Sequence, residues 1–128
     1  MSAWRRKALD LLPEHRELVE TAESPMSLWI ELRFLFEQAV DRGEWGRVSR
    51  FLQLAAWCVS EESGSLPNDT STAAAVAFYE HLPEKRTHWQ YFPRWFSRRE
   101  FEDLLSVFAY HLDQDELKEL KQTYAAHA

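Results

Sequence analysis

The sequence has one cysteine, three glycines and five prolines in 128 residues, and no apolar run near the length of a membrane span. Each scarcity closes off a class of protein. A lone thiol, Cys58, has no internal partner, so nothing points to a disulfide framework or an oxidising compartment. It also excludes thiolate metal clusters, which need several cysteines. Three glycines are too few for strand-and-turn architectures, whose tight reversals rely on residues free to take positive φ. A bilayer crossing needs about 20 consecutive apolar residues, and none are found. The cations Arg5, Arg6 and Lys7 are followed by Asp10 and Pro13, which interrupt any leader-like apolar run. Cytoplasm is therefore the expected location. No glycine-rich phosphate loop occurs, and no histidine pair has the close helical spacing of a zinc site.

What is present is a globular composition, 45% hydrophobic and 28% charged. Six tryptophans and eight phenylalanines supply large buried areas per residue, enough to close a core between thin helices. At this length one domain, residues 1–128, is the expectation, because halving it leaves pieces too small to hold cores unaided. Fifteen Lys and Arg against twenty-one Asp and Glu leave a formal charge of −6. That sign disfavours nucleic acid and anionic membranes as partners, both of which reward clustered cations.

The chain reads as six or seven helices and no strand. Helical segments are expected over residues 3–11, 14–22, 25–42, 45–60, 71–82 and 97–112, with a last one opening at Asp113. Pro13 suits a first helical turn, and Ser24-Pro25 pairs a cap with a proline start. Gly43 ends the third segment. Ser97-Arg98-Arg99-Glu100 reads as a capping box, and Asp113 to Glu116 sets acidic residues at a helix N-terminus. Residues 61–69 are rich in turn formers and read as a loop.

Periodicity assigns inner faces. Val48, Phe51, Leu52, Ala55 and Cys58 form one helical stripe; Phe101, Leu104, Leu105, Phe108 and Leu112 form another. Leu117, Leu120 and Tyr124 make a narrower one. In residues 25–40 the apolar side chains Leu28, Trp29, Ile30, Leu32, Phe34, Leu35 and Phe36 cover nearly the whole circumference, as in a helix enclosed on several sides. The expected fold is thus an all-α bundle, with stacked hairpins as one variant, around a central buried helix.

Polar residues inside that helix are the first candidates for chemistry. Glu31 and Arg33 are two apart and cannot face each other; Arg33 can reach Glu37, four residues on. A narrow solvated stripe explains Glu31 most simply. The sharper alternative is a buried carboxylate lining a pocket between helices, with His111 as a second pocket residue. Of His15, His81, His88, His111 and His127, the pairs Glu80-His81 and Tyr110-His111 with Asp113 and Asp115 can be assembled into a metal site only on paper. No metal and no cofactor is expected. Cys58 follows Trp57 on an apolar face, where an inert thiol is ordinary.

The most unusual composition lies between Thr87 and Arg99. Trp89, Tyr91, Phe92, Trp95 and Phe96 crowd one connection, with Arg94, Arg98 and Arg99 interleaved. Bulky anchors that seal a core beneath a connector are the first explanation. A protein-partner surface built from Trp89, Tyr91, Arg94, Trp95 and Arg98 is the second, since Trp, Tyr and Arg recur at interaction hot spots. Base stacking is the third, and the acidic balance weighs against it.

Leu12-Pro13-Glu14, the stretch from Ser24-Pro25 through Phe36, and Ala75-Val76-Ala77-Phe78-Tyr79-Glu80-His81-Leu82 resemble a family of small, uncharacterised bacterial all-helical proteins, some of them immunity-like. The resemblance implies a helical fold without established catalysis and assigns no binding residue. The function expected is a non-enzymatic protein-binding module, immunity-like or regulatory. The alternative is an enzyme or small-molecule binder with an interhelical pocket near Glu31. A homodimer through a leftover apolar helix face stays open.

Overall fold

Side-chain oxygens start three of the longer helices of this protein. The computed structural model describes residues 1–60 and 69–128. These residues form eight α-helices joined by 3₁₀ turns, with no strand among them. Ser24 and Ser27 exchange side-chain and backbone hydrogen bonds at 3.1 and 3.2 Å, and Pro25 takes the first turn of a helix from Pro25 to Asp41. Ser97 pairs in the same way with Glu100, and Asp113 with Glu116. Asp69 caps a shorter helix by accepting from the Ser71 and Thr72 N–H groups. Each cap satisfies donors that the first helical turn leaves without partners. The expected loop at 61–69 lies, apart from Asp69, outside the described residues.

The chain divides into two compact units, Met1–Phe78 and Tyr79–Ala128. The first contains α1 (Ala3–Leu11), a 3₁₀ turn at Pro13–His15, α2 (Arg16–Thr21), α3 (Pro25–Asp41), α4 (Trp45–Val59) and α5 (Thr70–Ala77). Pro13 begins a 3₁₀ turn here, so the second α-helix starts later than its sequence signal. α3 packs on both α4 and α5, and α4 also packs on α1. Trp29, Phe36, Phe51 and Phe78 meet at the centre: Phe78 lies 4.8 Å from Trp29 and 5.0 Å from Phe36, the second contact edge-on. Such edge contacts set the positive ring rim against a negative face.

α3 is the hub of this unit, but its enclosure is incomplete. Leu28, Trp29, Leu32, Phe36, Ala39 and Val40 are buried, whereas Ile30 and Phe34 are 45% and 50% exposed. After Asp41 the chain leaves the helix through Gly43, at φ 68°. Gly43 N–H donates to the Val40 carbonyl and Glu44 N–H to the Ala39 carbonyl, the paired bonds of a Schellman ending. Arg5 donates to the Val19 and Glu20 carbonyls, and Arg50 to the Leu11 carbonyl and the Glu14 carboxylate. These guanidinium groups fasten α1 to α2 and to α4.

The second unit is built differently. Two 3₁₀ segments, Tyr79–Glu84 and Arg86–Tyr91, lead into a single-turn helix, α6 (Phe92–Trp95). α7 (Arg98–Phe108) ends in a 3₁₀ turn at Ala109–His111, and α8 (Gln114–His127) closes the chain. Phe92 is fully buried and touches Phe96, Phe101 and Phe108 at 5.4–6.5 Å between ring centroids. Phe101 stacks on Tyr124 at 4.0 Å, while the Tyr124 hydroxyl donates to the Phe96 carbonyl at 2.8 Å. Arg86 joins the first part of this unit to α8 by ion pairs with Glu119 and Glu116. No helix among the described residues is long and apolar enough to cross a membrane.

Candidate functional site

The aromatic stretch before α7 is folded, not a loose connector, and folding sorts its side chains into two sets. Trp89 is 3% exposed, and its indole N–H donates to the Pro83 carbonyl at 2.8 Å. Phe92 and Phe96 are also buried. Trp89 is thus a core anchor, and its expected place on a partner surface is withdrawn: a side chain so enclosed presents nothing for a partner to touch. Tyr91 and Trp95 are half-buried, and Arg94 and Arg98 are exposed.

The outer set is mutually organised. Tyr91 and Trp95 lie 6.1 Å apart between ring centroids, and the Arg94 guanidinium sits 5.7 Å from the Tyr91 ring. This stacking holds a planar cation beside aromatic area, an arrangement suited to a partner that is both apolar and anionic. Arg98 reaches Glu102 at 3.5 Å across an exposed helix face, a pair that contributes little fixed energy. It also stands at the rim of a groove of about 400 Å³ bordered by Pro93, Ser97, Tyr124 and Ala125. That groove has no signal in the sequence, because α6, α7 and α8 meet only in three dimensions.

Glu31 is exposed on α3. The buried, pocket-lining carboxylate considered for this position is therefore absent, since the face bearing Glu31 is turned to solvent. Arg33 does reach Glu37, at 3.6 Å, and its guanidinium lies 4.7 Å from the Phe34 ring. Arg33 and Glu37 are mostly shielded, so this is an ion pair along a half-buried stripe.

His111 is brought to a cluster. Its ring stacks on His81 at 4.8 Å with 23° between planes, and its Nε2 lies 3.2 Å from a Glu80 carboxylate oxygen. His81 Nδ1 lies 2.6 Å from Glu84 Oε1. Ligand-capable atoms of His81, Glu84 and His111 all fall within 4.8 Å of one another. The 3₁₀ helix makes this possible: at three residues per turn, positions 81 and 84 stand on one edge. A search for α-helical i, i+4 pairs passes over that spacing, and His111 enters from a distant part of the chain. Asp113 and Asp115 do not belong to this three-residue group.

Two further reactive groups are structural in setting. His15 Nε2 lies 2.6 Å from Arg47 Nη2, and burial together with the guanidinium charge holds its pKa below the usual histidine value. Burial pushes the Cys58 thiol up to about 11, although a hydrogen bond with Trp29 acts in the other direction. A thiol so poised is protonated and unreactive near neutrality.

No family model, no curated protein and no solved structure matches this chain. The resemblance to small helical immunity-like proteins has no counterpart in these comparisons.

Proposed function

We propose that this chain is a non-enzymatic protein-binding module, immunity-like or regulatory, which acts by occupying a partner and not by turnover. Its contact surface is Tyr91, Arg94, Trp95 and Arg98. One observation carries the reading: the same short stretch buries Trp89, Phe92 and Phe96 yet keeps Tyr91 and Trp95 at the surface with Arg94 against Tyr91. Sealing the core accounts for the first set and for the side of Trp95 that meets Phe92 and Phe96; the accessible parts of Tyr91 and Trp95, with Arg94 exposed beside them, form the surface assigned to the partner.

Charge indicates the partner. Residues 85–99 hold Lys85, Arg86, Arg94, Arg98 and Arg99 and no carboxylate, within a chain whose net charge is −6; Arg86 and Arg98 are partly offset by Glu116, Glu119 and Glu102 from α7 and α8. Such a local reversal favours an acidic segment that offers an apolar side chain to the Tyr91–Trp95 surface. The test is selection from a displayed library of acidic amphipathic peptides. Selected peptides should bind less tightly as salt rises, and Trp95→Ala and Arg94→Glu should each weaken binding at least ten-fold while circular dichroism at the assay temperature shows both variants still folded. Peptides that bind both variants as well as the unaltered protein would overturn the assignment.

A further inference from the structure

We infer that His81, Glu84 and His111 form a binding site for a divalent transition-metal ion, with Zn²⁺ the best match. The inference does not rest on the peptide-binding reading above. It begins with the backbone. Tyr79–Glu84 winds as a 3₁₀ helix with Pro83 inside it. Proline has no N–H to give, and its ring opposes a continued α-helix, so the tighter winding persists through this segment. His81 and Glu84 are thereby set one above the other, and their side chains meet at 2.6 Å.

The second contribution comes from the turn Ala109–His111 at the end of α7. It lays the His111 ring on the His81 ring at 4.8 Å. Glu80, whose side chain is only 12% exposed, holds His111 through its Nε2 at 3.2 Å. A carboxylate behind an imidazole is the arrangement that fixes ring orientation at metal centres. Two stacked imidazoles and a carboxylate on one exposed edge form a convergent donor set, not a dispersed surface.

Donor chemistry selects the ion. Imidazole nitrogen with carboxylate oxygen suits zinc, nickel and copper, whereas magnesium and calcium call for oxygen ligands throughout. Zinc–ligand bonds of about 2.0–2.1 Å in a tetrahedron put ligand atoms about 3.3 Å apart. The three candidate atoms lie within 4.8 Å of one another. Side-chain rotation can close that gap, because His81 and Glu84 are 27% and 44% exposed and neither is locked in a core. Three protein ligands leave one position for water.

The test is calorimetric titration of the chelator-treated full chain with ZnCl₂, with MgCl₂ as the control. One zinc per chain should bind, with a dissociation constant in the micromolar range or below, and magnesium should give no heat at those concentrations. His81→Ala and His111→Ala should each weaken zinc binding at least ten-fold; circular dichroism checks that both remain helical. If either alanine variant unfolds, cobalt(II) added to the unaltered protein supplies the reading: bound cobalt should give visible d–d absorption, and zinc should displace it. The inference fails if zinc does not bind at one equivalent, or if cobalt gives only the spectrum of the aqueous ion. It fails equally if a folded His81→Ala, His111→Ala double variant binds zinc as well as the unaltered chain.

Discussion

Replacing Trp89 and Trp95 separately by alanine should produce unequal losses of stability. Trp89 is 3% exposed, so its removal takes a full indole from the core of the second unit. Core Trp→Ala changes cost about 3–5 kcal/mol, because the lost transfer energy is joined by the cavity left behind. The Pro83 carbonyl, on a buried residue, also loses its indole donor; an unmet buried acceptor adds about 1 kcal/mol or more. Small domains hold only about 5–15 kcal/mol in total, so Trp89→Ala should bring the second unit close to unfolding. Trp95 is half-buried against Tyr91, Phe92 and Phe96, and its removal should cost about 1–2 kcal/mol. Trp89→Phe keeps most of the volume but drops the N–H, so it should fall between the two alanine variants. Urea unfolding followed at 222 nm is the appropriate assay, since six tryptophans confuse a fluorescence signal. If Trp95→Ala costs as much as Trp89→Ala, the division of this stretch into inner and outer sets is wrong.

Two other outcomes follow from the first unit. With the folded thiol at about 11 against 9.0 for a free one, Cys58 should react with iodoacetamide at pH 8 about a hundred-fold more slowly in the native protein than in urea; rates within a few-fold would contradict its burial. For His15, the folded pKa lies below 6.5, so the unfolded chain binds the proton more readily. Its contribution to stability is present above pH 6.5 and is lost as pH falls through the folded value. His15→Gln should flatten that acid-side slope in urea-unfolding series, and an NMR titration placing His15 at or above 6.5 would remove the basis for the prediction.

The sequence was most informative where the determinants are local. Ser24, Ser97 and Asp113 begin helices because their oxygens reach N–H groups three residues away, and that spacing is written in the chain. Gly43 is legible for the same reason, as the residue best able to take positive φ after α3. The segment from Tyr79 to Tyr91 was not. Pro83 reads as a boundary, whereas it lies within a 3₁₀ helix, and the approach of His111 to His81 depends on a contact thirty positions away. Composition also cannot say which aromatic of a crowded stretch points inward: Trp89 and Trp95 look equivalent until the fold buries the first on the Pro83 carbonyl and leaves the second half-exposed. On α3, apolar residues around the full circumference suggest enclosure, yet Ile30 and Phe34 face outward because α4 and α5 cover only part of the rod.

A three-per-turn winding behaves as a prism with three edges. Over 79–84 the edge of Tyr79 and Leu82 faces the interior, and the edge of His81 and Glu84 faces out. Deleting any single residue there would turn everything beyond it by a third of a revolution, trading an inward edge for an outward one. Point substitutions on the outer edge leave the frame intact. As far as the fold alone is concerned, residue type along that edge is therefore far less constrained than the length of the segment.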